Sequence, residues 1–140
     1  MGLLSKLLGL RKEAIQEVYL TKKTIAAIQQ FAKKTYPREF TAYFKGKVRK
    51  NALVIDGLLY QHFASTEGEA VIDTDLPITS GAVGLVHSHP NNDARPSRAD
   101  KRTFAKSGIC HGIIARPYRP NDLVLYDARA RLLPWQVRAR

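Results

Sequence analysis

Two histidines one residue apart, closed off by a proline, set the tightest constraint on this chain. His87-Ser88-His89-Pro90 follows the apolar run Ala82 to Val86 and precedes the polar stretch Asn91 to Pro96, then Ser97-Arg98-Ala99-Asp100. Ala82 to His89 reads as a strand that Pro90 ends. Asn91 to Pro96 is loop by composition, and a helix is predicted from Ser97 to about Ser107, with Gly108 as its stop. Side chains on a strand alternate with period two, so His87 and His89 project from one face and can reach a single metal ion. Asp100, in the first turn of the next helix, can return a carboxylate oxygen to the same point. Two nitrogens and one oxygen suit zinc, and three protein ligands leave a fourth position for water, the pattern of a catalytic site. A plainer reading stands beside it. Ser97-x-x-Asp100 is also a helix cap, and histidines before a loop can simply be solvated. The joint spacing His-x-His-x7-Ser-x-x-Asp arises by chance on the order of once in several thousand chains of this size, which is why it is singled out.

The rest of the chain supplies a single mixed domain. Its 140 residues are enough to bury a core without disulfides, and the lone Cys110 cannot make one internally. No apolar run approaches the roughly 18 residues of a membrane span. Residues 1–16 form an amphipathic leader, with Leu3, Leu4, Leu7, Leu8 and Leu10 on one side of a helix. Lys6 interrupts it and no small-residue cleavage site follows, so a signal peptide is not expected and cytoplasmic residence is. The leader either packs on its own domain or docks on a partner or membrane surface. Residues 17–140 form the domain proper. Glu17 to Leu20 is a short strand or connection, and Thr21 or Thr24 caps a helix carrying Ile25, Ile28, Phe31 and Ala32. Pro37 ends that helix near Tyr36. Phe40 to Phe44 and Ala52 to Tyr60 are strands joined through Gly46 and Asn51. Ser65 to Glu69 is a polar loop and Ala70 to Asp73 a strand. Cys110 to Ala115 and Leu123 to Tyr126 complete six or so strands around two helices, an α/β or α+β order.

The His87-to-Asp100 stretch resembles the JAMM motif of the MPN+ metalloprotease family. There a distant Glu precedes His-Ser/Thr-His-Pro, then seven residues counted from that proline, then Ser-x-x-Asp. Tyr36-Pro37-Arg38-Glu39-Phe40 is similar to the family's helix-ending proline followed by its Glu, and Gly46 and Gly84-Leu85-Val86 fit neighbouring positions. The likeness runs from about residue 17 to residue 137 and is nearest the small archaeal-type members. It implies an α/β MPN (JAMM) domain: a curved mixed sheet flanked by helices, with a cytidine-deaminase-like layout. It implies Zn2+ held by His87, His89 and Asp100, Glu39 as general base, and Ser97 as hydrogen-bond donor to the oxyanion. Ala42 stands where the family often has glycine, and Leu85 and Val86 replace a more usual aromatic.

The resemblance further implies a zinc-dependent (iso)peptidase acting after the C-terminal tail of ubiquitin-like modifiers, with their conjugates as substrate. The alternative from another class is a non-catalytic scaffold of the same fold with a basic partner-binding surface. A net charge of +11, from 23 Lys and Arg against 12 Asp and Glu, calls for an acidic partner. Nucleic acid is not the expected one, because aromatic residues rarely interleave with the basic ones. Cys110-His111 is no nucleophile pair, since adjacent strand residues face opposite ways.

Overall fold

The computed structural model describes residues 15–59, 64–66, 69–71 and 81–139. Most of the leader (residues 1–14) therefore lies outside the described residues, as do His62 and Asp73. In chain order the elements are β1 (Glu17–Thr21), α1 (Lys22–Thr35), β2 (Thr41–Arg49), β3 (Ala52–Leu59), β4 (Ala64–Thr66) and β5 (Glu69–Val71). There follow β6 (Ala82–Ser88), α2 (Arg98–Lys106), β7 (His111–Ile114), a 3₁₀ turn (Pro120–Asp122), β8 (Leu123–Tyr126), β9 (Leu132–Leu133) and β10 (Gln136–Arg138). Eight strands form one mixed sheet in the order β10-β1-β3-β2-β6-β7-β8-β9, and β4 and β5 pair separately. No described helix is long and apolar enough to cross a membrane.

Strand alternation assigns each helix to its own face of the sheet. Ile114, Leu123 and Leu125 point into a cluster with Ile25, Ile28 and Ala32 of α1, together with Phe44, Ile55 and Val86. Their neighbours Ile113 and Tyr126 point the other way, against Phe104 of α2. Thr21 caps α1 by accepting a hydrogen bond from the Thr24 amide at 3.2 Å, and Ile25, Ile28 and Ala32 recur at helical spacing on its buried side. The helix ends at Thr35 because Tyr36, before Pro37, is extended. Ile15 packs against the same core.

Close approach of backbone makes two glycines obligatory beside the site. A Cβ on Gly84 would run into the carbonyl oxygen of Cys110, and one on Gly108 into that of Val83. Gly108 also has φ +134°, which side-chain-bearing residues rarely adopt. The chain leaving α2 can thus press against β6 and run parallel to it as β7, with Val86, His87 and Ser88 opposite Gly112, Ile113 and Ile114.

Three expectations are corrected. Gly46 is not in the hairpin connection but inside β2, at a register shift between Lys45 and Gly46; the turn is Lys50–Asn51, with Lys50 at φ 55°. Ser65 and Thr66 are not loop: Ala64–Thr66 pairs antiparallel with Glu69–Val71. Finally, β9 and β10 were not anticipated. The side chains of β10 are all exposed, so its parallel pairing with β1 rests on backbone hydrogen bonds and leaves no hydrophobic alternation to read.

Candidate metal centre

The end of β6 and the start of α2 converge on one point. His87 lies on the α2 face of β6, its ring 6.4 Å from that of Phe104, and His89 follows directly after the strand. Both are buried, with 8% and 9% exposure, and their Nε2 atoms are 3.1 Å apart. Asp100 faces both with one oxygen each: Oδ1 is 3.3 Å from His87 Nε2 and Oδ2 is 3.3 Å from His89 Nε2. A tetrahedral ion with ligand distances of about 2.0–2.1 Å has edges of about 3.3–3.4 Å. The donor set and its spacing therefore fit zinc.

Local structure holds His89 and Asp100 in place. Asp100 sits at the third position of α2, where Ser97 Oγ accepts its amide hydrogen at 3.0 Å and its own Oδ2 accepts from the Ser97 amide at 2.9 Å. Asp100 therefore belongs to the cap and faces both histidines at once, so the two readings of Ser97-x-x-Asp100 are compatible. Ser97→Ala should cost about 1 kcal/mol of stability through the lost cap, measured as a lower denaturant midpoint with an unchanged slope. His89 Nδ1 donates to the Asp93 carbonyl at 2.7 Å, which turns Nε2 towards the centre. Asp93 is itself held by the hydrogen bond its amide donates to Asn91 Oδ1 at 2.9 Å and by Arg95, which lowers its carboxyl pKa to about 2.

Asp100 and His89 shift each other's protonation. The hydrogen bond to Asp100 raises the His89 pKa against the opposing effect of burial, with the Asp93 carbonyl and Glu39 adding to the rise. Burial disfavours the Asp100 carboxylate, but hydrogen bonds from both histidines and the Ser97 amide hold it well below the usual range.

Glu39 lies on the segment between α1 and β2. Its Oε1 is 4.0 Å from His89 Nε2 and its side chain is 53% exposed. Glu39, His87 and His89 can also hold a metal, with ligand atoms all within 4.8 Å of one another, although Glu39 stands further from His89 than Asp100 does. Ser88, on the opposite face from His87, ties this segment to β6. Its Oγ accepts from the Phe40 amide at 2.8 Å, and its own amide donates to the Phe40 carbonyl at 2.9 Å.

The neighbouring Cys110 and His111 stay outside the centre. Burial pushes the Cys110 thiol up, and Cys110 is free. His111 is fully buried and stacks on Phe104 at 4.5 Å. Its Nδ1 accepts from the Leu85 amide and its Nε2 donates to the Gly108 carbonyl, both at 3.1 Å. Burial lowers its pKa to about 4, which keeps it neutral. The sequence reading missed the part played by Asp93, because a backbone carbonyl leaves no residue signature.

Residues 21–129 match the family model described as prokaryotic homologs of the JAB domain. A curated relative, "Probable metalloprotease" of Haloferax volcanii, is 38% identical over 101 residues. That match covers 66% of this chain and 62% of the relative, so the chain spans less than two thirds of its length. Among solved structures, a JAB1/MPN domain protein from Archaeoglobus fulgidus superposes with a TM-score of 0.67 at 24% identity, covering 87% of this chain and 97% of that one. Another, described as JAMM, a metalloprotease-like zinc site in the proteasome and signalosome, gives 0.64 at 26% identity, covering 88% and 97%.

Proposed function

Because the chain belongs to the prokaryotic JAB-domain family, we propose that it is a zinc-dependent peptidase that cleaves the amide bond after the C-terminal tail of a ubiquitin-like protein. The observation that carries the hydrolytic part is the 3.1–3.3 Å convergence of His87, His89 and Asp100 beside a second, solvent-facing carboxylate, Glu39. Zinc bound there supplies a Lewis acid that polarises the scissile carbonyl and acidifies water.

The protein's own groups divide the remaining work. His87, His89 and Asp100 hold the metal. Glu39, further out and exposed to solvent, accepts the proton of the attacking water and passes it to the leaving amine. Ser97 Oγ already accepts the Asp100 amide, so its hydroxyl hydrogen is free to point outwards and donate to the oxyanion as the carbonyl becomes tetrahedral.

The substrate class rests on the family likeness and on charge. A Gly-Gly tail brings no side chain to clash near the ligands. The net charge of +11 attracts an acidic modifier body and raises the encounter rate. The test sets a ubiquitin-like isopeptide conjugate against a linear fusion and against casein, under equal zinc. Cleavage is expected after the Gly-Gly tail joined to a lysine ε-amine, weakening as ionic strength rises, with little activity on casein. Equal cleavage of all three would leave a metallopeptidase without this specificity. No cleavage of any, with zinc bound, would favour the non-catalytic scaffold.

A further inference from the structure

Two buried tyrosines hold the loop between the metal ligands through its carbonyl groups. Tyr118 donates its hydroxyl hydrogen to the carbonyl oxygen of His89 at 3.1 Å, a bond buried from solvent. Tyr126 donates to the carbonyl of Ala94 at 2.8 Å. The two side-chain-bearing residues are 3% and 5% exposed. Between these anchor points lies Asp93, whose carbonyl accepts from His89 Nδ1 and so sets which ring nitrogen faces the centre. The loop then enters α2 through the Ser97 cap that orients Asp100.

The backbone at Tyr118 shows that its placement is imposed. It has φ 67°, an uncommon left-handed conformation for a residue with a bulky side chain. Neighbouring bonds hold it there: Gln29 of α1 donates to the Tyr118 carbonyl at 2.9 Å, and the Tyr118 amide donates to Ala115 at 2.9 Å. One residue along, the Arg116 amide donates to the Asn91 carbonyl at 2.9 Å. A turn anchored on α1 therefore grips the loop at His89 and at Asn91, while Tyr126 of β8 grips it at Ala94.

We propose that the hydroxyls of Tyr118 and Tyr126 are positioning groups for the metal centre, fixing the His89–Ser97 loop so that His89 and Asp100 meet at ligand spacing. This rests on the reading of His87, His89 and Asp100 as zinc ligands. Neither tyrosine touches the metal position; each acts through a carbonyl of the loop. Removing one hydroxyl leaves its ring packed in the core but frees one end of the loop, and the ligands lose their common point.

The test compares Tyr118→Phe and Tyr126→Phe with the parent chain and with Thr24→Val. Thr24 is buried and shares a 2.7 Å hydrogen bond with Thr21 at the start of α1, so its loss weakens the fold without reaching the loop. Zinc affinity is measured by competition with a chromophoric chelator, the ligand field by the visible spectrum of cobalt(II)-loaded protein, and metal-free stability by denaturant. Each tyrosine variant should bind zinc about 10–100-fold more weakly, the range for lost outer partners of a metal site. Each should also shift the cobalt spectrum, and Thr24→Val should do neither. Zinc affinity within twofold of the parent in a folded tyrosine variant would overturn the proposal, as would an equal loss in Thr24→Val at matched stability. If one tyrosine variant does not fold, the other carries the same test. A parent chain that takes up no zinc would instead overturn the centre itself, and the positioning role with it.

Discussion

Alanine at His87, His89 or Asp100, one at a time, should abolish binding of one zinc per chain. The loss should exceed the 10–100-fold typical of an outer partner, because each change would remove one of the three proposed ligands. The three variants should differ when metal-free. His89→Ala or His87→Ala leaves the Asp100 carboxylate half-buried with one of its imidazole partners gone. Asp100→Ala leaves two imidazoles with Nε2 atoms 3.1 Å apart and no anion between them. The pH dependence has a definite sign. His89 has a raised pKa and so holds a proton more tightly than free imidazole, a proton that zinc must displace. Affinity should therefore rise as pH climbs through the histidine range, with protons released on binding. Asp100, held well below the usual carboxylate range, is already ionised there and adds nothing to the slope. The checks are metal analysis of protein loaded with excess zinc and then desalted, and chelator titrations at several pH values. Wild-type protein that takes up no zinc when it is supplied would remove the catalytic reading.

Glu39→Gln should keep zinc and lose turnover on the isopeptide conjugate by at least about a hundredfold, and up to about 10⁴. The amide is nearly the same size but cannot accept the proton of the attacking water. The same variant separates the two carboxylates near the histidines. If Glu39 rather than Asp100 completed the ligand set, Glu39→Gln would release zinc and Asp100→Asn would not. The 3.3 Å contacts of Asp100 against the 4.0 Å separation of Glu39 point to zinc retention in Glu39→Gln. Near-normal turnover in that variant would mean that another base serves the water.

How much of this centre is legible depends on how far apart its parts lie in sequence. Strand alternation relates His87 to His89, and a helix cap relates Ser97 to Asp100; both are local rules, so the pattern can be read residue by residue. Glu39 is different. One acidic residue after Pro37 carries no signal of its own, and only the family resemblance marks it. Its approach to His89 follows from β2 pairing antiparallel with β6, Thr41 opposite His87, and from Ser88 binding both polar groups of the Phe40 backbone.

Residue order alone encodes the two helices, the central strands, the histidine pair and the capped aspartate, through short-range periodicity and capping. The packed fold was needed to show how near each carboxylate comes to the histidines, which nitrogen of His89 faces inwards, and that Tyr118 and Tyr126 bond to the loop carbonyls. It also decided the edge strands β9 and β10. These features depend on sheet register and on hydrogen bonds to backbone carbonyls. A carbonyl is common to every residue, so its choice of partner leaves no mark on the amino-acid pattern.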